Sequence, residues 1–521
     1  MSGDPIASLV IEDLTSPEHG QKVVTLHEGN VLHFGRDAET SNYILPDFHV
    51  SRNHFEIYSF VADEGAEPIV VVRDCESVNG TYVSKKWLGY DMKVVDTVIL
   101  DDGDIISVND CWSISVTLLA VKRDNMTILQ QRDVKHFAEK YVITNKILGM
   151  GVSTCVRLAY DISSHEQLAC KMYNIGDMRR LDCQNEVDQL IRSLDLLHEL
   201  DHPNVASLRQ VYKNEDVVYV FEELATGGDL FSMFMKPRLL EELEVCFIMF
   251  QVVRALKYIH SKGIAHRDIK VENVLCMVCP KVGQRVALTD FGHARRVSQG
   301  SITSRAGTPG WQAPEQYSGT HEHGIAVDMW AVGIMAVRLL VGNREVPTLE
   351  EFESNLSVAN PSPDLCLDNL FDEIRQIRQT DIYSAVKDFI SRCLDFNPAA
   401  RMTAGEALSH PWLSEPKDVR ELFEFRQARA EKNWRPRAAQ DGWLEELPPN
   451  VGLEVQTSPY FHNKEENPII QAEASSSDKQ GSKGSGQENT KSSKSSHNSG
   501  ELPTNETIQN FGCGGELDTM S

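Results

Sequence analysis

His266-Arg267-Asp268-Ile269-Lys270-Val271-Glu272-Asn273 brings an acid, a lysine and an amide together within one short loop-like stretch. Seventeen residues past Asn273 stands Asp290-Phe291-Gly292, and Ala313-Pro314-Glu315 follows. Upstream lies Leu148-Gly149-Met150-Gly151-Val152-Ser153-Thr154-Cys155-Val156. Its two glycines, set between apolar residues, let a hairpin backbone lie close over phosphates. Fifteen residues beyond Val156, Ala169-Cys170-Lys171 places a lysine in an apolar strand. A buried ammonium needs an anionic partner, and nucleotide phosphates supply one. Taken singly these signals are weak, because glycine pairs are mostly turns and such a lysine is more often at a strand edge.

The surroundings sharpen the reading. From Tyr141 to about Val220 the pattern is strands; helical periods dominate from Leu230 to about Leu413. This predicts an α+β bilobal domain over residues 141–413, mostly sheet first and mostly helix after. The motifs, in this order and at this spacing, resemble the eukaryotic protein kinase family.

That resemblance implies ATP and Mg2+ as cofactors. Leu148, Gly149, Gly151, Val156 and Ala169 would line the nucleotide, with Lys171 on its α/β phosphates, Glu223 as first hinge residue and Asp229 at the ribose. Asp268 would accept or orient the proton of the substrate hydroxyl, Lys270 would sit by the γ-phosphate, and Asn273 and Asp290 would hold magnesium. The chemistry agrees, since phosphoryl transfer is mostly positioning and stabilisation of spread negative charge. Lys270, two residues after Asp268, and Gly307-Thr308-Pro309 follow the Ser/Thr-kinase pattern. Arg267 resembles the arginine that binds an activation-loop phosphate, with Ser298, Ser301, Thr303, Ser304 and Thr308 in that segment. Asp328 and the pair Arg401 and Glu315 resemble structural braces.

Three positions depart from the family. Thr154 replaces the third glycine of the loop. Glu186 is the natural helix partner for Lys171, yet the spacing from it to His202-Pro203 is about two turns long, and usual spacing lands on Ser193. Either the helix is extended or the pairing residue differs; Glu186 is the expectation adopted. Glu222 falls at the rear of the adenine pocket, usually apolar or Thr, and a carboxylate there needs a partner or a raised pKa.

Residues 20–120 read as short strands at Val31–Phe34, Ile69–Val72, Val94–Leu100, Ile105–Val108 and Ser113–Leu119, an all-β sandwich. Gly35-Arg36, Ser51-Arg52-Asn53-His54 and Asn79-Gly80-Thr81 fall within it. Together they resemble a forkhead-associated domain over residues 22–120, a phosphothreonine-binding module. Carried over by motif, Arg36, Ser51 and Arg52 would contact the phosphate and Asn79 the peptide backbone, with Gly35 and His54 structural. Guanidinium groups suit this, since their planar donors match phosphate oxygens in a fork. Val78 stands where some members carry a hydroxyl.

The rest of the chain bounds the reading. Its 521 residues predict two to four units, and the net charge of −25 argues against broad nucleic-acid binding. There is no run of apolar residues long enough to span a membrane, and Val245–Ile259 reads as a buried helix. The 11 cysteines are scattered, which predicts a reducing compartment. Residues 121–140 read as a linker, and 414–521 as a charged helix and a mostly disordered tail. The basic stretch at 426–437 fits a calmodulin target, an import patch or a solvated helix; the last is adopted.

A forkhead-associated module ahead of a Ser/Thr kinase resembles the checkpoint kinases of DNA-damage and meiotic recombination responses. The only Ser-Gln pair is Ser298-Gln299, which makes the layout nearer the meiotic type. The expectation is a nuclear kinase, with the cytoplasm as a second location. A phosphothreonine-bearing scaffold would recruit it, and transient self-association would activate it in trans. Its substrates would be Ser/Thr proteins, with upstream basic residues if Asp229 and Glu272 face them. Two alternatives stand: a phosphopeptide-binding scaffold with a silent kinase fold, and a calmodulin-regulated kinase.

Overall fold

In the computed structural model the described residues are 3–449, apart from 16–19, 62–66, 86–87, 120–125, 152–153, 181–183, 235–238, 279–284, 298–306, 318–323, 357–365, 380–383, 416, 433 and 435–441. The tail expected to be disordered therefore lies almost wholly outside them, as do Ser298, Ser301, Thr303 and Ser304.

Alternating apolar residues make the N-terminal strands one-sided, so two sheets close on each other. One is six-stranded, in the order Gln21–His27, Pro5–Asp13, Trp112–Leu118, Ile105–Val108, Tyr82–Lys85, Tyr90–Lys93. The other is five-stranded, in the order Tyr43–Ile44, Val31–Gly35, Phe55–Phe60, Ile69–Asp74, Thr97–Ile99. Phe34, Phe55, Ile57, Val71, Val83, Ile106 and Ile114 fill the space between them. Pro5–Asp13 lies before the expected start at residue 22, yet it pairs along its length with Trp112–Leu118, from Ala7↔Leu118 to Asp13↔Trp112.

The next sheet runs Tyr141–Met150, Thr154–Asp161, Gln167–Asn174, Val217–Glu223, Leu208–Lys213 and Leu444–Glu446. Helix Gln184–His198 packs on it, and helices Glu242–Ser261 and Ala326–Val341 form the buried centre of the larger, helical lobe. Val245, Phe247, Met249, Val252, Val253, Leu256 and Ile259 are all buried, while Lys257 on the narrow polar side of the helix is exposed. Among the described residues no helix is long and apolar enough to cross a membrane.

Two features correct the sequence reading. The stretch 426–437 read as solvated begins inside helix Lys417–Ala430, which is docked: Gln427 is buried, and Phe423 is fully buried, with its ring 5.3 Å from Phe247 and 5.7 Å from Phe250. Beyond it, Leu444–Glu446 pairs in parallel with Leu208–Lys213 at the edge of the small-lobe sheet. A segment assigned to the tail thus covers an otherwise open edge.

The sandwich docks on the small lobe through a built polar contact. The amide of Gln167 matches the backbone of Ile99 from both sides, accepting from its N–H at 2.7 Å and donating to its carbonyl at 3.0 Å. Lys85 is fully buried and pairs with Asp104 at 2.5 Å and Asp101 at 3.1 Å. Tyr160, from the small lobe, donates to Asp101 at 3.2 Å, and Lys146 pairs with Asp101 at 2.9 Å. Burial opposes ionisation of Asp101, but Lys85 and then Lys146 outweigh it and hold the carboxyl at about 2. Tyr160 and Leu158 are buried within the sandwich's own apolar cluster, which Leu148 and Leu224 also touch.

Candidate active site and phosphopeptide loops

The catalytic loop is shaped by Asp328, at the start of helix Ala326–Val341. Its carboxylate accepts from the backbone N–H of His266 at 2.9 Å and of Arg267 at 2.7 Å, and bonds the His260 ring at 2.8 Å. Those bonds hold Arg267 at φ 71°, a left-handed conformation costly for a non-glycine residue. Asp328 thus serves as the expected brace. So does Arg401, whose guanidinium grips Glu315 with two bonds, at 2.7 and 3.1 Å.

Around Asp268 three residues converge. Its Oδ1 accepts from the backbone N–H and the hydroxyl of Thr308, each at 2.8 Å. Its Oδ2 lies 3.2 Å from Lys270 and accepts from Asn273 at 3.0 Å. Lys270 also donates to the Thr308 hydroxyl at 2.7 Å. Burial raises the Asp268 carboxyl, but the Thr308 hydrogen bond and then the Lys270 charge outweigh it, leaving the group below the usual carboxylate range. It is therefore ionised at neutral pH. Gly307 makes the approach feasible: its φ is 109°, and a Cβ there would lie 2.6 Å from the Arg267 carbonyl oxygen.

Asp290 is exposed in a left-handed conformation, φ 58°, with Oδ1 accepting from Gly292 N–H at 3.1 Å. Asp290 and Asn273 give the hard oxygen donors that magnesium takes. Gly151 closes the glycine-rich hairpin by donating to the Thr154 carbonyl at 2.7 Å, and Gly149 pairs with Val156. Ala169 and Lys171 lie on the strand opposite, in register with Leu158 and Val156. Leu148 is half-buried at the same hairpin.

Several expected residues are otherwise engaged. Glu223 pairs with Arg285, and its N–H donates to the Ser207 carbonyl at 3.0 Å. Asp229 caps the short helix Leu230–Phe234, accepting from the Ser232 N–H and hydroxyl at 2.7 Å each. The expectation for Glu186 is corrected: it is exposed on helix Gln184–His198, and Lys171 pairs with Glu222 at 2.7 Å. From that helix Gln189 reaches the His293 ring, just past the Asp290-Phe291-Gly292 segment, at 3.3 Å.

Sequence reasoning also missed Arg295. Burial and then Arg295's charge lower Arg267 to about 10, while burial and then Arg192's charge lower Arg295. Guanidinium groups crowded in this way favour an anion among them.

In the sandwich, Arg36 N–H donates to the Ser51 carbonyl at 2.9 Å, joining the end of strand Val31–Gly35 to the Ser51-Arg52 loop. Ser51 Oγ accepts from Val78 N–H at 3.0 Å, and Asn79 donates to the His49 carbonyl at 2.7 Å. The three expected motifs are thereby tied into one loop cluster with Arg36 and Arg52 exposed. His54 is fully buried and spans the loops: one ring nitrogen accepts from Ser51 N–H at 2.9 Å, and the other donates to Gly80 O at 3.2 Å. A Cβ on Gly35 would fall 2.0 Å from the Arg52 carbonyl oxygen, so only glycine fits. Both are structural, as their motif positions imply.

Two family models match the chain. The protein kinase domain family matches residues 141–413, and the FHA domain family matches residues 32–109. The meiosis-specific serine/threonine-protein kinase mek1 of Schizosaccharomyces pombe is 31% identical over 435 residues, covering 81% of this chain and 90% of that protein. Calcium/calmodulin-dependent protein kinase type 1 of Macrobrachium nipponense is 31% identical over 277 residues, 53% of this chain and 75% of its own. The probable serine/threonine-protein kinase fhkC of Dictyostelium discoideum is 28% identical over 400 residues, 75% of this chain and 63% of its own. The chain therefore belongs to the protein kinase family, as an FHA-domain-containing Ser/Thr protein kinase related to the checkpoint and calcium/calmodulin-dependent kinases.

Proposed function

We propose that the protein transfers the γ-phosphoryl group of Mg-ATP to Ser/Thr residues of partner proteins, and that phosphothreonine binding by its FHA loops recruits and activates it. The observation that carries the catalytic part is the closed set of Asp268, Thr308, Lys270 and Asn273. Asp268 receives the substrate hydroxyl proton, Lys270 offsets charge developing on the transferred group, and Lys171 holds the α/β phosphates. Asn273 and Asp290 would hold magnesium, which would offset the negative charge of the phosphates. Leu148, Gly149, Gly151, Val156 and Ala169 form the nucleotide walls, and the Glu223 backbone forms the hinge.

Arg36, Ser51 and Arg52 take the phosphothreonine and Asn79 the peptide backbone. Binding on a phosphorylated scaffold raises the local kinase concentration into the millimolar range of short tethers. Copies then phosphorylate one another in the segment that contains Ser298, Ser301, Thr303 and Ser304. Arg267, with Arg295 and Arg192 close by, supports a phosphate-ordered active state. Glu272 supports a preference for basic substrates: its Oε2 is buried beside the catalytic loop with no hydrogen-bond partner among the described residues.

The likeness to mek1 supports a nuclear, meiotic recombination checkpoint role over a general DNA-damage one. Arg36→Ala is expected to cut activation in cells while sparing the transfer rate of enzyme already phosphorylated in its activation segment. Full cellular activation of that variant contradicts recruitment through the FHA loops.

A further inference from the structure

Lys171 and Glu222 come together because of strand register. Strand Gln167–Asn174 pairs antiparallel with Val217–Glu223, with Ala169 opposite Glu222 and Lys171 opposite Val220. Side chains two apart along a strand share a face, so Lys171 and Glu222 are diagonal neighbours within reach of long side chains. The carboxylate oxygen lies 2.7 Å from Lys171 Nζ, and the Glu222 side chain is only 6% exposed. A carboxylate so placed must be paired or neutral, and a lysine on an apolar strand needs an orienting anion.

Helix Gln184–His198 offers no such anion. Its three acids, Glu186, Asp188 and Asp195, are all exposed, and the residue that bonds His293 beside the Asp290 segment is the uncharged Gln189. Gln189 also comes near Gly292, whose added Cβ would sit 3.8 Å from its Nε2. The helix thus bonds His293, just past the Asp290-Phe291-Gly292 segment, through an uncharged amide, and the charge that fixes Lys171 comes from the sheet.

We infer that Glu222 is the positioning residue for Lys171, orienting its ammonium toward the nucleotide phosphates in place of a helix carboxylate. The lysine is then set by two paired strands of one sheet. Its orientation does not depend on rotation of helix Gln184–His198, so a step that assembles other sites by swinging a helix glutamate inward is absent from this one. The carboxylate also puts a charged wall at the rear of the adenine pocket, which disfavours apolar ligands that extend past the adenine site.

This inference rests on the reading of Lys171 as the phosphate-binding lysine, and the experiment separates the two. In the full-length chain, Glu222→Gln, Glu186→Gln and Lys171→Met are compared for kcat, for KM of Mg-ATP and for adenosine affinity, with thermal melts as the check on folding. Loss of a charge-assisted hydrogen bond is worth about tenfold or more, so Glu222→Gln should lower kcat/KM for ATP by at least about that factor. Adenosine lacks the phosphates, and its affinity should move by less than about threefold, the difference that marks an effect exerted through Lys171. Glu186→Gln should leave kcat/KM for ATP within about threefold of the parent, below the value of one charged hydrogen bond.

Equal weakening of ATP and adenosine by Glu222→Gln would reduce Glu222 to a pocket wall and overturn the inference. So would a tenfold loss in Glu186→Gln. If Glu222→Gln does not fold, Lys171→Met/Glu222→Met removes both charges together. In that background ATP affinity should match Lys171→Met alone, and a further large loss overturns the inference. If Lys171→Met itself keeps normal transfer, it is the reading of Lys171 that falls.

Discussion

At the scale of single residues, the site depends on Thr308 as much as on the residues that name the motif. Its hydroxyl connects Asp268 to Lys270, so removing it takes one hydrogen bond from each and leaves their direct contact at 3.2 Å. Thr308→Ala is expected to lower kcat about tenfold or more, with little change in ATP KM, because positioning of the reacting groups is lost rather than nucleotide binding. Steady-state kinetics on a peptide substrate check this, and a rise in KM at constant kcat contradicts it. Histidines set a second expectation. Burial keeps His54 and His266 below the ordinary imidazole range and pushes His202 down to about 4. Their folded pKa lies below the unfolded value near 6.5, so the unfolded chain takes up protons first. Stability present above about pH 6.5 is therefore lost as pH falls toward 4. His202→Asn should lose less of its melting temperature between pH 7 and pH 5 than the parent, and an equal loss contradicts the assignment. That Asp268 and Asn273 come together was legible in the sequence because both lie in one short local motif. The partner of Lys171 was not, because it is set by pairing of strands about fifty residues apart.

Elements tell the same story at larger reach. The buried helix at Val245–Ile259 was readable from its apolar run, and Ile105–Val108 from its alternation and flanking turns. The strand Pro5–Asp13 was missed because the expected module began at residue 22 and its partner, Trp112–Leu118, lies about a hundred residues on. Helix Lys417–Ala430 looked solvated because its charges dominate its composition, and one aromatic decided otherwise. Phe423 is fully buried between Phe247 and Phe250. Phe423→Ala should cost about 3–5 kcal/mol of stability by denaturant unfolding, the usual value for an emptied aromatic site. A change below about 1 kcal/mol, typical of surface substitutions, contradicts the docking of this helix on the large lobe.

Across the whole molecule, the sandwich and the kinase domain share a contact that no motif announced. Its parts are ordinary residues scattered over the sequence: Lys85, Asp101, Lys146, Tyr160 and Gln167. Tyr160 is buried on the sandwich's side, and Thr97 reaches Thr226, three residues past Glu223, at 2.9 Å. The FHA module is thereby held against the small lobe and the residues just past strand Val217–Glu223. Tyr160→Ala/Gln167→Ala should loosen this docking, raising the radius of gyration in solution scattering and splitting one thermal transition into two. An unchanged radius with a single transition contradicts a docked arrangement.

The central claim is catalytic and is tested directly by phosphate transfer. The purified full-length protein, its Asp290→Asn variant and its Arg36→Ala variant are given Mg-ATP with basic Ser/Thr peptides. The parent should phosphorylate itself and the peptides, Asp290→Asn should do neither, and Arg36→Ala should match the parent once its activation segment is phosphorylated. No transfer by the parent after that phosphorylation contradicts the account and leaves a phosphopeptide-binding scaffold in its place.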